Sequence, residues 1–124
     1  MPSCRYHIVN VHSESPLSGL PVAVFDQAPA LDEATMLALS QQVQTALSVF
    51  LLPSARGHAR LAIFTPERSL AFSPDALFAA ASVVRERLGE AMLTLETAVM
   101  IAPLWLEQDR WVYQVQGPLQ RELN

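Results

Sequence analysis

The sequence predicts a single domain of the α/β class, on three observations. Short apolar runs rich in Val, Ile, Phe and Tyr recur between Pro and Gly breaks, as strands do. Two longer segments open with complete helix-start chemistry, at Asp32 and at Ser73. The second helical segment carries alanines at 76, 79, 80 and 81, small enough to let it approach a sheet closely.

The elements follow in order. Residues 6–12 hold Tyr6, Ile8, Val9 and Val11 and read as a first strand. Pro16 and Gly19 mark residues 13–19 as a loop. Pro21-Val22-Ala23-Val24-Phe25 has the length and composition of a buried strand. Asp32 then caps a helix, with Glu33 favouring the positive end of its dipole. This helix is expected to reach Gln42 or Val43, with Ala34, Leu37, Ala38 and Gln41 on one face and Met36, Leu39 and Val43 on another. Residues 46–52 read as a strand ended by Pro53, residues 54–58 as a turn, and residues 60–64 as an alternating strand stopped by Pro66. Ser73 caps the second helix, Pro74 suits its first position, Asp75 complements the dipole, and Gly89 fits the left-handed position past its end. Residues 93–98 and 99–106 read as strands. Gln108-Asp109-Arg110 is the turn into a strand over 111–115, in which Trp111, Tyr113 and Val115 share one face. Gly117-Pro118 ends it, and a short polar tail follows.

Composition excludes several classes of function. The chain has 124 residues, is 51% hydrophobic and only 16% charged, which suits a packed core rather than disorder. A net charge of −4 lacks the basic footprint that nucleic acid requires. Every basic residue apart from the histidines is Arg, so Schiff-base chemistry and a lysine base have no residue to use. Cys4 is the single cysteine; alone it makes neither an internal disulfide nor a metal site. His7, His12 and His58 are far apart, without ligand-like spacing, and His58 is expected in a solvated turn. No cofactor or phosphate loop is implied, since the four glycines are scattered. No apolar run reaches the ~18 residues of a membrane span, and the opening residues carry no signal-peptide core. A soluble cytoplasmic protein is expected.

The most informative stretch is Ile63-Phe64-Thr65-Pro66-Glu67-Arg68-Ser69-Leu70-Ala71-Phe72, running into Ser73-Pro74-Asp75. It resembles the signature of the phenazine-biosynthesis (PhzF-like) isomerase family, in which a Phe-Thr-Pro turn leads through Glu-Leu-x-Phe to a Gly-His-Pro at a helix start. Three further segments agree in order. Gly19, Pro21 and Val24 match a family Gly-Asn-Pro-x-x-Val, with Leu20 for the Asn. Leu31, Asp32 and Met36 match the opening of the first family helix. Ala46-Leu47-Ser48-Val49-Phe50 matches Ser-Glu-Thr-x-Phe, with Leu47 where the family has its proton-transferring Glu. In the opening stretch Ser69 replaces a Glu, Pro74 the Gly, and Asp75 the His. Finally, Leu95-Glu96-Thr97-Ala98-Val99 is similar to the strand after the second helix.

The resemblance implies one lobe of a diaminopimelate-epimerase-like fold, a curved mixed sheet around a central helix, spanning residues 1–124. It places Gly19, Leu20, Leu47, Ser48, Ser73, Pro74 and Asp75 on the lining of the family's cleft. The matches fall on structural positions and the departures on polar site positions. A proton-shift isomerisation needs a carboxylate to carry the proton, and Leu47 has none. Two readings follow. One is a non-catalytic binding or accessory protein that holds a small molecule or a partner in the former cleft. The other is an isomerase or epimerase with altered chemistry, using Asp75, Ser48 or His12 at a cleft formed by a homodimer. Asp75 also has a plain structural reading as a first-turn acid, worth about 0.3–1 kcal/mol. A homodimer is expected on either reading, because Trp105, Leu106, Trp111 and Tyr113 crowd the last strands with few charges between them. The edge around residues 111–115 is one route for the pairing.

Overall fold

The computed structural model describes residues 5–11, 19–26 and 31–114. Its elements are β1 (Arg5–Val11), β2 (Leu20–Asp26), α1 (Glu33–Val43), β3 (Leu47–Leu52), β4 (Ala59–Phe64), β5 (Ser69–Leu70), α2 (Pro74–Leu88), β6 (Met92–Glu96), β7 (Ile101–Glu107) and β8 (Arg110–Tyr113). They form one mixed sheet in the order β1-β2-β3-β4-β6-β7-β8, with the short β5 added beside β4. The pairs β2–β3 and β4–β6 are parallel. Each parallel pair needs a crossover, and α1 and α2 are those crossovers.

The placement of the helices follows from handedness. Both crossovers step the same way along the sheet, but β2 and β4 point in opposite directions. Right-handed connections therefore put α1 and α2 on opposite faces. The concave face receives α2. Its Ala76, Leu77, Ala79, Ala80, Ala81, Val83 and Val84 are buried against Val22, Val24, Leu47, Val49, Ile63, Leu93, Leu95 and Leu104. The alanines thus do what the sequence suggested, keeping the helix axis close to the strands. The convex face receives α1 through a smaller cluster of Ala23, Phe25, Met36, Phe50 and Phe64. There Phe25 and Phe50 stack at 4.3 Å, and Phe50 meets Phe64 edge-on at 5.7 Å.

The sheet curls so that its far end also reaches α2. Trp111 and Tyr113 pack against the concave core. Tyr113 lies 6.0 Å from the ring of Phe72 and 5.7 Å from that of Phe78, while the Trp111 Nε1–H donates to Ser82 Oγ at 3.3 Å. These two residues share a face as expected, but α2 covers that face. Trp105 sits on the opposite side of the sheet, in register with Met92 and Val112. The crowd of aromatic residues in the last strands is therefore split between two faces and forms no single open patch. Val115 and the tail lie outside the described residues.

The caps agree with their sequence reading. Asp32 accepts from the Thr35 N–H at 2.8 Å, Ser73 accepts from the Ala76 N–H at 3.2 Å, and Gly89 takes φ +75° past the end of α2. One local reading is corrected, at residues 98 and 99, and two points the sequence left open are filled in. Of the two faces of α1, the one with Met36 and Ser40 is buried, and Ala34, Ala38 and Gln41 are exposed. Ala98 and Val99 form a turn and not strand, because the Thr97 hydroxyl accepts from both the Val99 and the Met100 N–H. Ser69 and Leu70 form a strand too short for sequence periodicity to show.

Candidate functional site

Topology gathers one rim. β1 ends there at Val11, opposite the start of β2 at Leu20. β3 begins there, with Leu47 beside Val22, and β4 ends there, with Phe64 beside Ser48. β5 pairs with that end of β4, and α2 starts four residues after Leu70. Leu47 is 8% exposed and belongs to the same cluster as Val11, Val22, Ala76 and Leu77. The start of β3 and the first turn of α2 therefore face each other across the concave side of this rim.

The polar groups here are few and largely committed. Ser73 Oγ takes the Ala76 N–H, and the Ser73 carbonyl takes the Leu77 N–H at 3.0 Å. Pro74 brings no N–H to the helix N-terminus. Asp75 is half-buried in the first turn, where its charge complements the helix dipole. Gly19 has φ +105°, a left-handed conformation that disfavours side chains, and Leu20 next to it is half-buried.

Ser48 stands apart from this group. One residue beyond Leu47, it faces the other side of the sheet. It is 1% exposed, and its hydroxyl lies 3.5 Å from Thr45 Oγ1, which itself donates to the Leu47 carbonyl at 2.7 Å. The rim thus brings together Leu20, Leu47, Ser73, Pro74 and Asp75 and leaves Ser48 on the convex side, while His12 lies outside the described residues.

Two polar clusters elsewhere escaped the sequence reading. His58 is exposed in its turn, as expected, and is also tied to the sheet: its backbone N–H donates to the Thr94 carbonyl at 2.7 Å and its Nδ1 accepts from the Thr94 N–H at 3.0 Å. That acceptor role places the ring proton on Nε2, 3.7 Å from the Glu90 carboxylate. At the opposite rim Asp26 is buried, bonded to Arg87, with Arg5 at 3.9 Å and His7 at 3.8 Å. Only spatial proximity joins these residues, so no sequence pattern could have shown them together. Among the described residues no group of three His, Cys, Asp or Glu side chains is placed to hold a metal, and no helix is long and apolar enough to cross a membrane.

The family profile of the phenazine biosynthesis-like proteins matches residues 9–117. The chain belongs to this family. It is 32% identical over 105 residues to the trans-2,3-dihydro-3-hydroxyanthranilate isomerase of Pseudomonas aeruginosa, covering 84% of this chain and 38% of that protein. It is 31% identical over 122 residues to an uncharacterized isomerase of Pasteurella multocida, covering 95% of this chain and 42% of the relative. Among solved structures, a predicted epimerase from Pseudomonas aeruginosa superposes with a TM-score of 0.76 at 34% identity, covering 88% of this chain and 41% of the other. A PhzF-family protein from Enterococcus faecalis gives a TM-score of 0.79 at 23% identity, covering 89% and 43%, which shows the shared fold. The chain therefore spans about two-fifths of the length of the relatives it matches, 38% and 42% for the two isomerases above. Its fold is one curled, helix-filled sheet of the PhzF-like architecture.

Proposed function

We propose that this PhzF-like lobe lacks the family's proton-shift isomerase activity and serves as a non-catalytic binding or accessory unit, with a small molecule or a partner held at the rim. The observation that carries this reading is Leu47, buried at 8% on the concave wall at the position matched to the family's Glu. An aliphatic side chain carries no exchangeable proton, and a positioned acid–base group contributes about 10²–10⁴-fold to such a reaction. The first turn of α2 supports the same reading. Pro74 removes a backbone donor where the family has Gly, and Asp75 puts a carboxylate where it has His. The test is incubation in deuterated buffer with the substrate of the trans-2,3-dihydro-3-hydroxyanthranilate isomerases. No chain-dependent incorporation of deuterium is expected, and rapid incorporation overturns the reading.

A second reading keeps an altered acid–base chemistry at the rim. It rests on Asp75, since Ser48 faces the other side of the sheet. Activity abolished by Asp75→Asn would establish it in place of the first.

The unit is further proposed to be a cytoplasmic homodimer. What supports pairing is a pair of large apolar side chains exposed on one strand, Tyr6 at 48% and Ile8 at 50%. Light scattering at micromolar concentration tests it, and a monomer mass throughout rules it out.

A further inference from the structure

We infer that the second copy docks along the free edge of β1, antiparallel to it and centred on Ile8. This rests on the homodimer reading and names its surface. β1 ends the sheet order, so among the described residues only its β2 side is paired. An unpaired edge presents a row of backbone donors and acceptors that templates another strand. The sheet has a second end at β8, but β8 is four residues long and turns Trp111 and Tyr113 onto α2. β1 is seven residues long, contains no proline, and exposes Tyr6 and Ile8 on its convex side.

The strand is self-complementary. Ile8 is the middle residue of Arg5–Val11, so a full antiparallel ladder about a two-fold axis sets Ile8 against Ile8. The same register sets Tyr6 against Asn10, His7 against Val9, and Arg5 against Val11, with no like charges opposed. Facing apolar pairs of this kind are what stabilise adjacent strands.

There is also room on the concave side. A groove of about 380 Å³ runs between β1 and α2, lined by His7, Ile8 and Val9 of the strand and by Ser82, Val83, Arg85 and Glu86 of the helix. A strand added to β1 covers that groove and lays His7 and Val9 of the second copy over it. Val9 then meets the apolar floor at Val83, and the Glu86 carboxylate offers an acceptor to the His7 ring N–H of the second copy. Charge and polarity thus complement across the axis, once on each side.

The test exploits the axis itself, because only the residue on a two-fold meets its own copy. In a Cys4→Ser background, which removes the single native cysteine, Ile8→Cys should give a disulfide-linked dimer under mild oxidation, and Val112→Cys on β8 should give none. Ile8→Lys should shift the light-scattering mass from dimer to monomer while circular dichroism stays unchanged, since Ile8 lies outside both core clusters. A dimer that survives Ile8→Lys, or that cross-links through Val112→Cys, overturns this surface and leaves the homodimer reading standing. A monomer in every arm removes both.

Discussion

Asp26 and Arg87, 61 residues apart, are bonded through Oδ1 and Nη1, and this ion pair ties the end of β2 to the last turn of α2. The Asp26 side chain is only 6% exposed and that of Arg87 27%. A buried carboxylate that loses its partner keeps its desolvation cost without compensation. Arg87→Met should therefore destabilise the fold by about 2–4 kcal/mol, the upper end being tempered by the partial exposure of the pair. Arg5 is 76% exposed and 3.9 Å away, so Arg5→Met should cost about 0.5 kcal/mol or less. Urea denaturation of the two variants side by side checks the contrast, and equal losses would mean that the cluster, not the pair, carries the stability.

Gly57 gives a second prediction, steric in origin. A Cβ at this position would come within 2.5 Å of the Thr94 carbonyl oxygen, which is backbone in β6 and cannot swing aside. That same carbonyl accepts the His58 N–H, so the added methyl would also break the link between the turn and the sheet. Gly57→Ala should cost about 1–3 kcal/mol, the usual range for overpacking. Loss of amide protection at His58 and Thr94 in hydrogen exchange would locate the damage.

The sequence showed some of this architecture and concealed the rest, and the division follows the range of the interactions. The caps at Asp32, Ser73 and Gly89 act within one turn of the chain, so local residue types disclose them. The buried face of α1 was ambiguous because it is chosen at long range. Ser40 Oγ lies 3.3 Å from the Thr65 carbonyl, and Gln41 Nε2 donates to the Pro66 carbonyl at 2.9 Å, both twenty-five residues away. The Asp26 and His58 clusters are wholly non-local and left no pattern to read. At the rim, Leu47 and the Ser73-Pro74-Asp75 turn were legible through their resemblance to a family motif. That Ser48 faces the convex side depended on strand phase, which Leu47 and Val49 in the α2 cluster and Phe50 in the convex cluster fix.

Thr65 gives the Phe-Thr-Pro stretch a structural role of its own. Its hydroxyl accepts from the Glu67 and Arg68 N–H groups, each at 3.2 Å, and its own N–H donates to the Arg68 carbonyl at 2.8 Å. These bonds set the tight connection from β4 to β5. Thr65→Val keeps the shape but leaves two backbone donors without their acceptor, and should cost about 1 kcal/mol. Thr65→Ser should restore most of it. A Val variant as stable as the parent would show that water replaces the hydroxyl there.

Asp32 supplies a pH dependence. Hydrogen bonds from the Thr35 side chain and backbone N–H hold its carboxyl below the ordinary aspartate value. A lowered folded pKa means that the unfolded chain takes up the proton first. The contribution to stability is then complete above the ordinary value of ~3.9 and is lost as pH falls through the lowered one. Asp32→Asn, which keeps an N-cap oxygen, should flatten that part of the profile. Thermal melts of both chains on the acid side of that value are the measurement, and parallel profiles would contradict it.

Leu47→Glu tests the rim directly. The substitution returns a carboxylate to the position where the family resemblance expects one, but into a concave wall made of Val11, Val22, Ala76 and Leu77. Burying an acid among these groups raises its pKa and, at neutral pH, should cost about 2–4 kcal/mol through desolvation and lost apolar contact. The sign of the pH effect follows from the raised folded pKa. Below the unfolded value of ~4.3 both states are protonated and the penalty is smallest; it grows as pH rises toward the folded pKa. Activity should not return with the carboxylate alone, because Pro74 and Asp75 still occupy the facing helix start. Deuterium incorporation by Leu47→Glu, absent from the parent, would show instead that a single side chain separates this lobe from catalysis. That result would preserve the assignment of the rim and overturn the view that the first turn of α2 has also lost its part in the chemistry.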